Sequence, residues 1–316
     1  MIGTSIVIIT YRRPASLAAT VACCLGQRGV EGGFETIVVD NDPAGSAHPV
    51  IEARRAEGAN PRYVHEPRPG ISYARNAGIA AAAGRYVAFI DDDEEAGPDW
   101  LAAHLKTIRE ANADISVGPV LPRFAAPAEA IPAYALRLFT RDARVPSGTP
   151  VPAWPGIGNT LLVRERCCLG DAPFDPAFGI TGGGDAIFLG RLARAGRKIV
   201  WCAEAPLWET IPPDRVTPRY LLRRAFRGGQ TTSYLHAAAE PPEPGRLAYR
   251  MLTGAAQAVC YGLPGFVFWL SGRPNGISLL ARAAMGLGKV VWHPRLHVRL
   301  YGRRRDHGAV AAAAGQ

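Results

Sequence analysis

The sequence lacks the cysteine spacings of zinc sites and redox motifs. Its six cysteines form two adjacent pairs and two single residues, and no Cys-x-x-Cys occurs. Adjacent cysteines do not provide the spaced ligand pairs of a zinc site, so such a site is disfavoured. We expect buried or free thiols in a reducing compartment.

The first residues lack the parts of a secretion signal. A basic region, an apolar core and a cleavage site do not follow one another, and the apolar run that starts at Thr4 is typical of a strand. We therefore expect the active domain to lie in the cytoplasm. A disordered composition is absent too, since 48% of the residues are hydrophobic and 20% are charged.

Acidic residues are scarce only in the last third of the chain. Residues 1–211 contain 21 Lys and Arg against 23 Asp and Glu, whereas residues 212–316 contain 15 against 4. The net charge of +9 therefore comes entirely from the C-terminal third. Such a basic region can face nucleic acid or an anionic membrane surface. Because no nucleic-acid-binding motif accompanies it, we expect a membrane surface and no nucleic acid.

A glycine-rich turn after the first strand is missing as well. Strand and helix patterns alternate from Thr4 to Ala83, which predicts a doubly wound, mostly parallel α/β sheet flanked by helices. A dinucleotide-binding oxidoreductase of this architecture needs glycines where the chain has Thr10–Pro14. A sugar-phosphate nucleotidylyltransferase needs a glycine-rich loop with Arg and Lys at the same place. Both functions are therefore disfavoured.

The chain does have an acidic cluster at the end of a buried strand. The apolar run Tyr86–Ile90 is followed by five consecutive carboxylates at positions 91–95. Oxygen ligands suit a hard divalent ion, Mg²⁺ or Mn²⁺, which also binds phosphate oxygens. A solvated acidic loop is the alternative. The position favours a metal and diphosphate site, because α/β folds bind ligands at the carboxyl ends of their strands.

Five segments follow one another in order between residues 4 and 200. They are Ser5–Pro14, Ile37–Asn41, Gly70–Gly78, Tyr86–Asp93 and Gly184-Asp185. Together they resemble the family 2 glycosyltransferases of the GT-A fold, although each segment alone is a weak signal. The resemblance implies a Rossmann-like GT-A domain that binds a nucleotide sugar over residues 1–211. Residues 212–316 would then be a helical, basic and apolar extension.

The resemblance implies donor-binding roles for four residues near the first two strands. Thr10, Tyr11 and Arg12 would line the nucleotide base. Asp40 would accept a hydrogen bond from that base, although its position also allows it simply to cap a neighbouring helix.

Arg75 would face the diphosphate of the donor, because it lies on the helix that precedes the acidic strand. A surface ion pair with Glu66 or Asp99 is the alternative for this arginine.

The resemblance assigns the metal and the chemistry to aspartates. Asp91 and Asp93 match the ends of the family's Asp-x-Asp element. Asp93 is the main expected metal ligand, and Asp91 and Asp92 would lie nearer the ribose and the sugar. Asp185 matches the family's catalytic base, and Gly184 stands where the family usually has Glu. We therefore expect the chemistry to survive and the acceptor contacts to differ.

The expected reaction is a single displacement at an anomeric carbon. Negative charge develops on the leaving phosphate, which a divalent ion and an arginine stabilise, and the acceptor hydroxyl needs one base. A double displacement would need two close carboxylates at the sugar, and Asp185 is the one base candidate that we see outside the metal cluster.

The sequence thus predicts a metal-dependent, inverting glycosyltransferase. The expected donor is a UDP-sugar, and the expected acceptor is a glycan or lipid-linked glycan. A non-catalytic, membrane-bound binder of sugar nucleotides is the alternative that Gly184 leaves open.

The C-terminal third contains a long uncharged segment, Met251–Gly272, of a length that could span a membrane. Pro264 and Gly265 interrupt the segment, and Arg250 and Arg273 bracket it. This pattern favours short helices in the membrane interface, with basic residues on anionic headgroups. A true span and a buried helical pair stay open. We expect peripheral attachment at the inner face of the cell membrane, which would suit a lipid-linked acceptor.

Overall fold

The computed structural model describes residues 2–152, 156–179, 183–239, 241–273 and 275–298. The strands in these ranges are β1 (Thr4–Thr10), β2 (Phe34–Asp40), β3 (Arg62–His65), β4 (Tyr86–Asp91), β5 (Glu94–Ala96), β6 (Ile115–Val117), β7 (Val120–Phe124), β8 (Thr160–Val163), β9 (Ile199–Trp201) and β10 (Leu207–Ile211). The α-helices are α1 (Pro14–Leu25), α2 (His48–Ala56), α3 (Ile71–Ala81), α4 (Trp100–Glu110), α5 (Ala133–Phe139), α6 (Arg164–Cys167), α7 (Gly184–Arg194), α8 (Pro218–Ala237), α9 (Pro244–Leu270) and α10 (Gly276–Val290). Short 3₁₀ helices cover Ala128–Ala130, Pro176–Phe178, Pro213–Val216 and Pro294–Leu296.

The main sheet has the strand order β3-β2-β1-β4-β8-β6-β9. Its strands are parallel except β8, which runs antiparallel to both of its neighbours. This confirms the predicted mostly parallel α/β sheet. The chain winds outward from β1 in one direction to β2 and in the other to β4, and such a reversal opens a crevice at the carboxyl ends of the strands. The register aligns Thr10 with Asp40 and Ile9 with Asp91, so the three strands end side by side at this crevice.

The core lies on both faces of the main sheet. Ile6 and Ile8 pack on the side of α1, whereas Val7 packs on the side of α3, as the alternation of side chains along a strand requires. Gly78 of α3 lies directly over Val7, where a larger residue would overlap the valine side chain. The long apolar run of β1 therefore reflects burial on both faces.

A second, three-stranded sheet has the order β5-β10-β7. Strand β7 and helix α5 lie in residues 120–155, a stretch with little periodicity in the sequence. Residues 153–155 of that stretch lie outside the described ranges. The small sheet brings β10 beside β5, which contains the last two carboxylates of the acidic cluster. We refer to residues 4–211 as the sheet region.

Helices α8, α9 and α10 follow the last strand, and we refer to residues 213–298 as the helical region. Helix α10 packs between α8 and α9, and glycines allow the backbones to touch. A Cβ atom at Gly254 of α9 would lie 2.6 Å from the Gly286 carbonyl oxygen of α10. Gly229 of α8 and Gly288 of α10 make similarly close approaches to Met285 and Phe226, respectively. Close packing through small residues holds these helices together.

The expected break of the long apolar segment at Pro264 is wrong. Helix α9 runs through the proline for 27 residues. A proline inside a helix costs about 3 kcal/mol, because one hydrogen bond is lost and the ring crowds the preceding turn. Packing against α10 on both sides of Pro264 offsets that cost, and the next residue, Gly265, lies against the backbone of Leu280.

The apolar side chains of α9 are largely exposed. Helix α9 is, among the described residues, the one helix long and apolar enough to cross a membrane by length and composition. Only 11% of its most apolar window is buried within the protein. The buried residues of α9 are Gly254 and Gly265, so this helix uses glycines for packing and directs its large side chains outward.

Candidate active site

The loop after β1 forms one wall of the crevice. Tyr11 is 43% exposed, and the Arg12 guanidinium lies 5.2 Å from the centre of its ring. Arg12 has a φ of +56°, which is rare for a residue with a side chain and is found most often at functional sites. Its Nε also donates to Asp42 Oδ1 over 3.1 Å. The predicted base-binding pair, Tyr11 and Arg12, is therefore held in place at the carboxyl end of β1.

Thr10 has a different environment from its two neighbours. Its side chain is buried, and its Oγ1 donates to Asp92 Oδ2 over 2.7 Å. Thr10 therefore ties the β1 loop to the acidic cluster and does not itself line the open crevice.

Asp40 is fully buried and occupied by protein donors. Its carboxylate accepts hydrogen bonds from the backbone N of Ala47 at 2.7 Å and of Asp42 at 3.0 Å. The Tyr63 hydroxyl donates to it as well, over 3.1 Å. Ala47 immediately precedes α2, so the structure shows the helix-capping role that was the alternative for Asp40. In this arrangement the carboxylate does not face the base site.

Asp92 points into the protein rather than toward the crevice. Besides Thr10, it accepts a hydrogen bond from Arg13 Nη1 at 2.9 Å. Burial is the main cause that raises the pKa of Asp92 to about 6, against the opposing effect of Arg13. Asp92 therefore fixes the shape of the loop, whereas its predicted role was contact with the ribose or sugar.

Asp93 lies between two arginines. Its Oδ2 is 2.8 Å from Arg13 Nη1 and 3.3 Å from Arg215 Nη1. Sequence reasoning assigned a role to neither arginine. Arg13 belongs to the segment after β1 that supports the family resemblance, and Arg215 lies in the 3₁₀ helix Pro213–Val216 at the start of the basic third. Phosphate oxygens can bind beside a carboxylate that two arginines flank, because the arginines can also donate hydrogen bonds to phosphate.

Asp91 ends β4, and a buried network supports it. Glu94 Oε2 accepts from the Asp91 backbone N at 3.0 Å, and Glu94 Oε1 accepts from Arg141 Nη2 at 2.8 Å. Burial raises the pKa of the Glu94 carboxyl well above its usual value. A Cβ at Gly158 would lie 3.1 Å from Asp91 Oδ2, so the small residue lets the chain pass close to this carboxylate. The network therefore fixes the end of β4, where the predicted metal ligand Asp91 lies.

Asp185 forms a two-pronged ion pair with Arg75. Arg75 Nη2 donates to Asp185 Oδ2 over 3.0 Å, and Nη1 donates to Oδ1. The Arg75 side chain is only 4% exposed, whereas that of Asp185 is 24% exposed. The surface pair that was the alternative for Arg75 is therefore wrong, and Glu66 pairs with Arg68 instead. No local sequence pattern indicates the Arg75–Asp185 pair, because its partners are 110 residues apart.

Asp93 and Asp185 both lie close enough to Asp91 to interact with it electrostatically. Burial raises the pKa of Asp91, and the charges of Asp93 and Asp185 raise it further. The backbone N of Ile157 lies 3.4 Å from Asp185 Oδ2, and the next residue, Gly158, lies against Asp91. Asp91 and Asp185 therefore face the same short segment from two sides. The Arg75 guanidinium also lowers the pKa of Asp91, so it lies near both.

The carboxylates at this site suit a divalent ion only if a bound ligand supplies the remaining oxygen atoms. Within the described ranges, no group of three or more His, Cys, Asp or Glu side chains is arranged to hold a metal ion. Asp91 accepts no hydrogen bond from the part of the chain that the structure describes, and Asp93 lies close by. Two carboxylates suit Mg²⁺ or Mn²⁺ at a phosphate site, because Mg²⁺ takes its remaining ligands from phosphates and water.

Gly184 begins α7 directly before Asp185. A Cβ atom at this position would lie 3.3 Å from the Cβ of Phe178, so a larger residue requires the phenylalanine to move. Packing of Phe178 therefore accounts for glycine where the family usually has Glu. Residues 180–182, which lie shortly before this helix, are outside the described ranges.

Two comparisons with known sequences decide the family. The model of the family described as glycosyl transferase family 2 matches residues 5–157. The chain is 33% identical over 282 residues to the succinoglycan biosynthesis protein ExoM of Rhizobium meliloti (strain 1021), covering 87% of this chain and 88% of ExoM. The chain belongs to glycosyltransferase family 2. It is therefore a glycosyltransferase, as the sequence predicted.

Other relatives agree with this assignment. The hyaluronan synthase of Pasteurella multocida is 31% identical over 120 residues, 37% of this glycosyltransferase and 12% of the synthase. The structure of S. aureus TarS 1–349 superposes with a TM-score of 0.52 at 14% identity, covering 92% of this chain and 90% of TarS. The same fragment in complex with UDP-GlcNAc gives a TM-score of 0.51 at 15% identity, covering 79% and 70%. The likeness to TarS shows that the fold is GT-A.

Proposed function

We propose that this glycosyltransferase moves a sugar from a UDP-sugar to a glycan or lipid-linked glycan acceptor, with inversion and with a divalent metal. The observation that supports this most is the proximity of Asp93 and Asp185 to Asp91 at the carboxyl end of β4. The name of ExoM places that relative in succinoglycan biosynthesis, and TarS has been solved with UDP-GlcNAc and with UDP. These relatives favour a uridine nucleotide and a polysaccharide product.

The donor would bind across the ends of β1 and β4. The exposed ring of Tyr11 and the guanidinium of Arg12 would contact the base. Asp91 and Asp93 would hold Mg²⁺ or Mn²⁺, which when bound supplies positive charge to the leaving diphosphate. Arg13 and Arg215 pair with Asp93 in this structure, and they would also donate hydrogen bonds to the phosphates.

Asp185 would accept the proton of the attacking hydroxyl. A carboxylate has about four lone-pair positions, and Arg75 occupies only one on each oxygen. The arginine holds the carboxylate in one orientation, and the partly exposed side of Asp185 stays open to an acceptor. No second carboxylate is assigned to the sugar outside the acidic cluster, so a single displacement with inversion follows.

We also propose that α9 lies in the interface of the inner face of the cell membrane. Seven of its large apolar side chains are about half to four-fifths exposed: Leu252, Val259, Leu263, Phe266, Val267, Trp269 and Leu270. Such a face, together with the 15 to 4 excess of basic residues after residue 211, suits an anionic bilayer surface. A lipid-linked acceptor would then meet the enzyme at that surface.

Substitution of the proposed base tests the chemistry. Asp185→Asn should lower UDP release from a UDP-sugar about 100- to 10,000-fold, because a general base contributes that much. UDP with Mn²⁺ should still protect the variant against thermal unfolding, since donor binding does not need the base. UDP-glucose, UDP-galactose and UDP-GlcNAc would be assayed with a membrane lipid extract as the source of acceptor. Asp171→Asn, at an exposed aspartate, is the matched control.

Two results would contradict the proposal. If UDP and Mn²⁺ protect the parent protein but no donor is consumed, the chain is a binder of sugar nucleotides and not this enzyme. If Asp93→Asn leaves the Mn²⁺-dependent part of the protection intact, the metal assignment fails.

A further inference from the structure

A pocket lies between α5, α9 and α10. Its volume is about 380 Å³, at the small end of the range for ligand pockets. The six residues that line it are Tyr134, Arg137, Gln257, Tyr261, Arg282 and Met285. None of them belongs to the crevice that holds Asp93 and Asp185. The proposed glycosyl transfer therefore leaves this pocket without a role.

In the part of the chain that the structure describes, two arginines and no carboxylate line the pocket. Among the described residues, no Asp or Glu forms an ion pair with Arg137 or Arg282, although most arginines near the crevice have such a partner. The Arg282 guanidinium lies 5.3 Å from the centre of the Tyr261 ring, which restricts its orientation. An oriented guanidinium presents parallel N–H donors that match the oxygens of a phosphate.

Tyr134 contributes a donor that no described residue satisfies. The residue is only 7% exposed, and its hydroxyl has no hydrogen-bond partner in the part of the chain that the structure describes. Burial raises the pKa of Tyr134, so the hydroxyl keeps its proton at neutral pH. A buried hydroxyl without a partner is destabilising. Tyr134 lines the cationic pocket, so a bound group that reaches its hydroxyl would supply the missing acceptor.

We propose that this pocket binds a phosphate group, with Arg137 and Arg282 as its counter-charges and Tyr134 as a further donor. Gln257 is already engaged, because its Oε1 accepts from Lys289 Nζ over 2.9 Å, and it contributes an amide donor at most. The phosphate can belong to a membrane lipid or to a soluble molecule. Both sources present the same oxygens to the same three side chains, so the experiment has one arm for each.

The soluble arm uses inorganic pyrophosphate with the full chain. Calorimetry gives the affinity, and hydrogen exchange locates the site, because the crevice can bind the same anion. We expect pyrophosphate to protect α5 and the middle of α9 from exchange. In the double variant Arg137→Gln/Arg282→Gln, this protection should vanish and the corresponding affinity should fall at least about tenfold, since charged hydrogen bonds are lost.

The lipid arm uses flotation with phosphatidylcholine vesicles, with or without phosphatidylglycerol. If the phosphate belongs to a lipid, the double variant should lose the preference for phosphatidylglycerol vesicles. The control, Arg219→Gln/Arg246→Gln, removes the same charge from exposed positions outside the pocket. If only pyrophosphate shows the difference between the two double variants, the source is soluble.

Equal behaviour of the two double variants in both arms would overturn the proposal. Two single substitutions keep the test valid if the double variant does not fold. Arg282→Lys keeps the charge but loses the paired donors, and Tyr134→Phe removes only the hydroxyl. Each should weaken phosphate binding severalfold without loss of the fold, and unchanged binding in both would also overturn the assignment. These readouts measure binding, so they are independent of whether the chain transfers sugar.

Discussion

The sheet region and the helical region differ in where their apolar side chains lie. In β1, the consecutive residues Ile6, Val7 and Ile8 are all fully buried, whereas on α9 Leu252 and Val259 are 73% and 78% exposed. The sheet region is held together by large aliphatic side chains that interlock on both faces of the sheet. In the helical region, α9 packs on α10 where the two backbones touch at glycines, so the large side chains of α9 lie exposed.

The same two regions differ in how they use charge. Around the crevice, acidic and basic groups are buried together and bonded to each other, as in the Glu94–Arg141 pair. In the helical region the basic residues outnumber the acidic ones. Arg282 of α10 and, from the sheet region, Arg137 of α5 face a pocket whose described lining residues include no carboxylate. Arg215 connects the regions, since it follows the last strand and reaches Asp93. Acidic and basic groups therefore pair with each other around the crevice, whereas the wall of this pocket is cationic.

The largest expected effect comes from matched leucine substitutions. Leu17 of α1 is fully buried and Leu252 of α9 is 73% exposed. Leu17→Ala should lower the free energy of unfolding by about 3–5 kcal/mol, because it leaves a cavity. Leu252→Ala should change it by less than about 0.5 kcal/mol and should weaken binding to anionic vesicles. Denaturant titration and vesicle flotation measure the two effects. Equal destabilisation by both substitutions would show that α9 is covered in solution.

A buried histidine makes the sheet region sensitive to acid. His104 of α4 is bonded to Ser116 Oγ at 2.9 Å and to Asn159 Oδ1 at 2.8 Å, and burial lowers its pKa to about 4. Between the unfolded value near 6.5 and pH 4, the unfolded chain binds the proton and the folded chain does not. Stability should therefore fall by about 3 kcal/mol as the pH falls through this window.

His104→Gln should remove that part of the acid sensitivity, which urea titrations at pH 7 and pH 4.5 would measure. The effect should extend to the active site, because Asn159 directly follows the segment that contacts Asp91 and Asp185. An unchanged difference in stability between the two pH values would contradict the assignment to His104.

The sequence correctly predicted those elements whose structure depends mainly on their own residues. Strand β1 is a run of apolar residues buried on both faces, and the carboxylates after β4 are consecutive, so local pattern was enough. The Arg75–Asp185 pair could not be predicted, because it depends on how α3 and α7 meet across the crevice. At Pro264 the local pattern predicted a break that does not occur. A proline inside a helix is energetically costly, but the packing of α9 against α10 outweighs that cost.

The smallest expected effect separates two neighbouring glycines of α8. A Cβ at Gly229 would overlap the Met285 carbonyl of α10, whereas nothing lies within 4 Å of one at Gly228. Gly229→Ala should destabilise the helical region by about 1–3 kcal/mol, because α8 and α10 must move apart. Gly228→Ala should stabilise it by up to about 1 kcal/mol, since alanine favours the helix. Hydrogen exchange of α10 would measure both changes, and protection of β1 should stay constant. If Gly229→Ala also loosened β1, the glycine contacts would support the sheet as well, and the contrast between the two regions would not hold.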